Sequence, residues 1–455
     1  MARYDYQYLV VGSGAAGSAA ALMSAGMGYR TAIVEADRWG GSTLNYRDIP
    51  YAAGLGFEQL YHRAIDGAKF GMSSASLRYN YPTVLNWQAT TVRRAGGNSR
   101  KTFEEAGIEC YHGFAQFISS HVIAVGNQQI SSEKFLIATG TNIAVNGIAG
   151  IDNVRCWSPN TALRMAKLPK VLVVIGGGST GCELAEYFGA LGVKVAIIEA
   201  QDRLLPREDP EASEVMEKHL HGDFGVRLLL NSRATALEQL QGNTQQVVFI
   251  RGGQEKTLQS EAIVLATTPE PSTDLGLENA GVKFSYRGVD VNQNLRTSNG
   301  HIWAAGDVIG GESSTEKATY EGKLATLNAL RNAGNIINYT GFTRMTNTMP
   351  RVAKVGLNEI ECKQIRQKFK STIVHLDEIS AANTHDFRAG FVKLLINPKQ
   401  QVIGATVVCP EADLVVQEIA MAVRSGFKVT ELAGTPHVAT GWAEAVRMAA
   451  RELSD

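Results

Sequence analysis

Six glycines and two glutamates are the residues of this sequence whose types and spacing most directly imply chemistry. Gly12, Gly14 and Gly17 make one GxGxxG turn, and Gly176, Gly178 and Gly181 make a second. Such a turn brings backbone up to a diphosphate: the first glycine permits a tight bend, the second leaves room for the phosphates, and the third lets helix and strand pack closely. The anion rests at a helix N-terminus, where unpaired N–H groups and the helix dipole favour negative charge. Ser13 lies inside the first turn. Glu35 stands as far beyond Gly12 as Glu199 stands beyond Gly176, and a carboxylate at that distance suits the two hydroxyls of an adenosine ribose.

These residues need a strand before the turn and a helix after it. The sequence supplies both, twice. Tyr8 to Asp37 reads YLVVGSGAAGSAAALMSAGMGYRTAIVEAD, and Leu172 to Gln201 reads LVVIGGGSTGCELAEYFGALGVKVAIIEAQ. Each is an apolar strand, the glycine turn, a helix rich in Ala and Leu, a glycine break, and a second strand ending in Glu. A lone GxGxxG arises wherever a strand meets a helix; a full βαβ context in two copies is the confirmation the motif requires. Two such sites imply two dinucleotides, for which FAD and NAD(P) are the natural pair. The expected fold class is α/β, with two Rossmann-like dinucleotide-binding domains.

The bulk properties agree. At 455 residues the chain exceeds the roughly 250–300 residues at which single cores stop growing, so about three domains are expected. Lys+Arg and Asp+Glu both number 44, which gives no electrostatic reason to expect nucleic acid or an anionic membrane as partner. A small-molecule ligand is the better expectation. The chain passes almost at once into an apolar strand, without the basic, apolar and cleavage regions of a secretion signal. It has no apolar run of about 18 residues or more. Cys110, Cys156, Cys182, Cys362 and Cys409 are scattered, with no metal-ligand spacing. They read as small hydrophobes, no metal site is expected, and the expected location is a reducing cytoplasm.

A third element, HIWAAGDV from His301 to Val308, follows LRTS at Leu295 to Ser298. With it the sequence resembles, nearly end to end, the pyridine nucleotide-disulfide oxidoreductases, which include dihydrolipoamide dehydrogenase, glutathione reductase and mercuric reductase. The resemblance implies FAD on Gly12, Ser13, Gly14, Gly17 and Glu35, with Gly306 and Asp307 of the AGD motif holding the ribityl chain. It adds Gly41, Ser42 and Thr43, Ala115 in GFAQF, Thr139 and Gly140 in IATG, and Ala318. Gly176, Gly178, Gly181 and Glu199 then fall to NAD, because Glu199 repels a 2′-phosphate; NADP stays open through Arg203. Glu183 matches a glutamate that in relatives lies beside the nicotinamide and flavin N5, against the plain reading of a helix-surface acid.

The implied organisation is an FAD-binding domain in two parts, 1–147 and 266–338, around an NAD(P)-binding domain, 148–265. A C-terminal α+β dimerisation domain follows at 339–455, in which FVKLLINPKQQVIGATVVC, Phe391 to Cys409, alternates as two strands about a turn. A homodimer is expected. One local departure is ATTPEPS, Ala266 to Ser272, where relatives read ATGRxPN.

A larger departure concerns the redox centre. Relatives that reduce disulfides or metal ions carry GGTCxNxGCxPSK; here Gly40 to Ala52 reads GGSTLNYRDIPYA. Thr43 and Asp48 replace the two cysteines, and Tyr51 and Ala52 stand at the serine and lysine. A hydroxyl and a carboxylate cannot cycle as a disulfide or form a thiolate–flavin pair. Relatives also carry a C-terminal HPT followed by Glu as a proton-transfer pair. Within TPHVATGWAE, Thr435 to Glu444, the histidine position falls on Thr435 or Ala439, and His437 reads as a satisfied loop residue that could be recruited. The favoured expectation is an FAD-dependent NAD(P)H oxidoreductase serving a small non-disulfide acceptor such as a quinone, an electrophile or oxygen. Thr43, Tyr46, Arg47, Asp48 and Tyr51 would line its pocket, with Asp48 or a tyrosine as proton donor. A soluble transhydrogenase and a non-catalytic redox sensor are the alternatives.

Overall fold

The computed structural model describes residues 4–73, 77–96, 99–143 and 147–454. Contacts divide the chain into two compact units. The first is Met1–Ala53, Thr83–Ala144 and Thr268–Tyr339; the second is Gly54–Pro82, Val145–Thr267 and Thr340–Asp455. Both expected FAD segments contribute to the first. The segments expected for NAD(P) binding and for dimerisation contribute to the second, which also takes in Gly54–Pro82.

In the first unit Tyr6–Val11 is flanked by Thr31–Glu35 and Gln128–Ile137, with Glu109–His112 beyond Thr31–Glu35 and Ile302–Ala304 also paired to Gln128–Ile137, all in parallel. Val122–Val125 and Ala115–Ser119 extend the sheet antiparallel. The central strand is buried on both faces: Leu9 and Val11 join one core, Tyr8 and Val10 the other. That is the signature of a parallel sheet covered on both sides. The helices Ala15–Gly26 and Thr315–Arg331 pack on the second core. They approach so closely that a Cβ on Gly322 would lie 2.1 Å from the Ala16 carbonyl oxygen. Val11 pairs with both Val34 and Ile137, and Ile137 with Ala304, so the strands end together. The turns that follow therefore share one rim. The altered ATTPEPS segment adapts locally, with Glu270–Pro271 pairing antiparallel to Thr141–Asn142.

The second unit holds a parallel sheet in the order Arg227–Leu229, Lys194–Ile198, Val171–Ile175, Ala262–Leu265. It also holds a five-stranded antiparallel sheet in the order Thr343–Thr346, Arg351–Gly356, Val402–Cys409, Phe391–Ile396, Lys370–His375. The expected pair within Phe391 to Cys409 is present. Its polar positions, however, do not face water: every residue of Phe391–Ile396 is buried. Val392, Leu394 and Ile396 join the core with the helices Ala412–Ser425 and Glu444–Ser454. Lys393 points the other way and is 1% exposed, with its ammonium 3.5 Å from Asp209, 3.0 Å from Glu211 and 3.1 Å from Glu359. Burial works against its charge, but the carboxylates outweigh it and hold the lysine above its ordinary pKa. Removing one member of such a group strands the others, so Lys393→Ala is expected to cost about 3–5 kcal/mol in guanidinium unfolding of the holoprotein.

A second buried group lies on the helix Asp48–Asp66, where Glu58 is 1% exposed near the fully buried Glu186. Burial first, and the Glu186 charge second, push the Glu58 carboxyl well above the usual range. Burial pulls His219 down, but Asp223 at 2.7 Å and Glu186 at 3.5 Å override it and raise the imidazole to about 9. Both groups hold protons more tightly folded than unfolded. Their stabilisation is complete below the unfolded pKa and is lost as pH rises through the folded one. For His219 that window runs from 6.5 to about 9. Melting temperature should therefore fall across it, and Glu58→Gln, which keeps a neutral side chain, should flatten the decline.

Candidate functional site

Both glycine turns follow the last residue of a parallel strand, and both have the same internal geometry. Gly12 and Gly176 have φ of +102° and +110°, a region that favours glycine, and a Cβ on either would meet a carbonyl oxygen, that of Ala138 at 2.3 Å or of Ala266 at 2.5 Å. A Cβ on Gly17 would lie 1.8 Å from the Gly12 oxygen; one on Gly181 would lie 2.0 Å from that of Gly176. The middle glycines differ in kind. At Gly14 and Gly178 a Cβ would meet no protein atom within 4 Å. Each is the N-cap of the helix that follows, Ala15–Gly26 or Ser179–Ala190, and no side chain caps either helix. The chain's own packing thus explains two glycines of each turn and leaves open space before the third. That space, facing uncapped N–H groups, is what a diphosphate requires.

The two glutamates brace these turns. Glu35 accepts from Ser13 N at 2.9 Å, Ser13 Oγ at 2.6 Å and Asp37 N at 2.8 Å. Glu199 accepts from Gly177 N at 2.6 Å and Gln201 N at 2.7 Å. Glu35 Oε1 and both oxygens of Glu199 each keep a lone pair for a ribose hydroxyl, whereas Glu35 Oε2 is filled by the two Ser13 donors. Ser13 is fully buried and also accepts from Gly40 N, so its side chain orders the loop. Arg203 donates to the Pro206 carbonyl and lies 3.6 Å from Asp202.

The rim of the first unit gathers the other residues singled out for FAD. Gly41, with φ of +64°, lies so close to Gly14 that a Cβ would come within 2.5 Å of its Cα. Ser42 and Thr43 continue the short helix Gly41–Asn45. Thr139 Oγ1 donates to the Ser272 carbonyl at 2.7 Å, and Gly140 turns with φ of +69°. Ala115 is buried at the start of Ala115–Ser119. Gly306 packs against Ala16 and Ala318, and Asp307 opens the 3₁₀ turn Asp307–Ile309. Burial pushes the Asp307 carboxyl up, against the pull of Ser313, Arg47 and Lys317. Sequence reasoning missed the support beneath this turn. Glu321, fully buried, accepts from Gly306 N at 2.7 Å and Tyr339 Oη at 2.5 Å, with Lys317 3.6 Å away.

Thr43 and Asp48 come together through a residue that the sequence did not suggest. Thr315 Oγ1 donates to Asp48 Oδ2 at 2.5 Å and lies 2.7 Å from Thr43 Oγ1. With its only proton on Asp48, Thr315 must accept from Thr43. Of the two pocket tyrosines, Tyr46 donates to Asp37 at 2.6 Å and Tyr51 is buried. In the second unit Glu183 is 6% exposed, which overturns the plain helix-surface reading; it accepts from Asn347 N at 2.8 Å and Nδ2 at 2.9 Å. His437 has partners on both nitrogens, the Thr435 carbonyl at 2.8 Å and Glu418 at 3.0 Å. All five cysteines are free, and burial lifts every thiol above its ordinary pKa. Among the described residues no cluster could hold a metal ion, and no helix is long and apolar enough to cross a membrane.

The model of the pyridine nucleotide-disulphide oxidoreductases matches residues 6–322, and that of their dimerisation domain matches 343–450. The chain belongs to this family. Mercuric reductase of Staphylococcus aureus is 31% identical over 450 residues, covering 98% of this chain and 82% of that protein. Dihydrolipoyl dehydrogenase of Geobacillus stearothermophilus is 29% identical, covering 95% and 93%. Among solved structures, LpdA from Mycobacterium tuberculosis superposes with a TM-score of 0.88 at 25% identity, covering 98% of this chain and 99% of that one. RclA from Escherichia coli, a flavoprotein disulfide reductase, matches in fold with a TM-score of 0.84 at 24% identity, covering 98% and 99%.

As a member of the family the chain is an FAD-dependent NAD(P)H oxidoreductase. Its turns fit these cofactors on geometry, since at Gly14 and Gly178 the open space lies directly before the uncapped N–H groups of a helix. The two glycines of the first turn should accordingly fail in different ways. Gly17→Ala collides with backbone and should not yield folded protein. Gly14→Ala keeps an ordinary φ of −66° and should fold, but with FAD affinity lowered by at least about tenfold, ~1.4 kcal/mol, read as flavin-to-protein ratio on dilution.

Proposed function

We propose that this oxidoreductase passes electrons from NADH, through FAD, to a small acceptor that is not a disulfide. The observation that carries this reading is the Thr43–Thr315–Asp48 hydrogen-bonded chain, which fills with oxygen the two positions where disulfide-reducing relatives carry sulfur. Bound FAD supplies two-electron chemistry between a nicotinamide and an acceptor. The protein's part is to bind, orient and protonate.

Gly12, Gly14, Gly17, Gly41 and Ser42 would hold the FAD diphosphate by backbone, Glu35 the adenosine ribose, and Asp307 the ribityl hydroxyls. Ala115, Thr139, Gly140, Gly306 and Ala318 would shape the remainder of that site. Gly176, Gly178 and Gly181 would hold the nicotinamide nucleotide. Glu199 favours NAD over NADP: held in place by Gly177 N and Gln201 N, its carboxylate would repel a 2′-phosphate beside it. Arg203 is engaged by Pro206 and Asp202, which supports the same preference. Glu183 would position the Asn347 backbone, and Asp48 is the acid that remains once Tyr46, Tyr51 and His437 are accounted for. The dimerisation domain supports a homodimer, and the five free thiols suit a reducing compartment such as the cytoplasm.

An anaerobic titration tests the reading. NADH should bleach the bound flavin with two electrons and without a long-wavelength thiolate band, and p-benzoquinone should restore the colour. Bleaching only over hours, or reoxidation by a small disulfide but not by the quinone, would refute it. Equal and rapid bleaching by NADPH would remove the assigned NAD preference.

A further inference from the structure

Reducing a quinone-like acceptor takes two electrons and two protons. NADH carries both electrons and one proton; the second proton must come from solvent. Thr43 is half-buried within the short helix Gly41–Asn45, and a neutral hydroxyl is no net acid. It can give up a proton only if it receives another in the same event. Thr315 is placed to supply it, 2.7 Å away, and Asp48, exposed to water, lies 2.5 Å beyond Thr315. Each hydroxyl can both donate and accept, so the row supports either direction of donation. With Asp48 ionised it points from Thr43 to Asp48; with Asp48 protonated it reverses.

We propose that Asp48, Thr315 and Thr43 form a proton relay that carries a solvent proton to the acceptor, with Thr315 as its indispensable link. The inference rests on the functional reading above and assigns the route of its second proton. In each turnover Asp48 takes a proton from water and passes it to Thr315. Thr315 passes its own to Thr43, and Thr43 gives its own to the reduced acceptor oxygen. The hydroxyls end as they began, and NADH, one proton and quinone become NAD and quinol. The charged groups sharing the neighbourhood are Arg47, just before the helix Asp48–Asp66, Lys317 on the helix that begins with Thr315, and the Asp307 carboxylate. The short spacing of Thr315 from both neighbours holds the route open without a mobile water.

Two acceptors separate proton delivery from everything else. Ferricyanide takes electrons and no protons; p-benzoquinone needs both. In holoenzyme, Thr315→Val, which keeps shape and removes the hydroxyl, should lower the benzoquinone-to-ferricyanide rate ratio at least tenfold, and Asp48→Asn should match it. Thr315→Ser should restore the ratio. Wild-type benzoquinone reduction should slow in D2O, and the ferricyanide reaction should not. A readout apart from turnover is the infrared difference between dithionite-reduced and oxidised protein. A carboxyl band that shifts in D2O should vanish in Asp48→Asn and move in Thr315→Val. If both acceptors slow together, or the ratio holds in Thr315→Val, the relay is wrong. If NADH fails to bleach the flavin while the infrared band behaves as stated, the functional reading fails and the relay stands.

Discussion

A single steric relation, the seating of a helix's first turn directly on the carbonyl of the turn before it, sets the rest of this molecule. It occurs at Gly17 over Gly12 and again at Gly181 over Gly176, with almost the same missing space. No side chain is compatible with it. Because the helix is pulled down onto the strand end, its N-terminal N–H groups open onto the rim of the sheet, where the Glu35 or Glu199 carboxylate ties the loop at two points. The open N–H groups that suit a diphosphate are thus a by-product of close packing, and the chain builds the same arrangement twice. The Asp307 turn is held to the same rim by the pairing of Ala304 with Ile137 and, from below, by Glu321.

Features built from neighbouring residues were legible in the sequence. The glycine turns, the bracing glutamates and the paired strands within Phe391 to Cys409 each depend on spacing along a short stretch, and the structure has them where spacing puts them. What escaped was long-range. Thr315 meets Asp48 across most of the chain, and nothing in a run reading SSTEKA signals more than a helix start; Ser314 caps it as such a run should. Glu321 looks like any acid in an exposed helix until the tight approach of Gly322 to Ala16 turns that face inward.

Lys393 and Glu183 show a related limit. Alternation along a strand and periodicity along a helix identify which face is apolar, and the polar face is then assigned to water by default. Here the opposite face in each case meets another layer: Lys393 meets three carboxylates, and Glu183 meets the Asn347 backbone. A polar residue can mark a second packed surface as readily as a solvated one. Only the charge count around it, which the sequence scatters over distant segments, tells the two apart.

The state of the cysteines carries a consequence of a different kind. Soft electrophiles such as arsenicals, alkylating agents and hypohalous acids disable thiol enzymes by capturing an exposed thiolate. This chain keeps its five sulfurs protonated, with Cys182, Cys362 and Cys409 sealed in cores, and its candidate centre is made of oxygen. A flavoprotein working through such a centre would offer these reagents no thiolate there, leaving only the part-buried Cys110 and Cys156 within their reach.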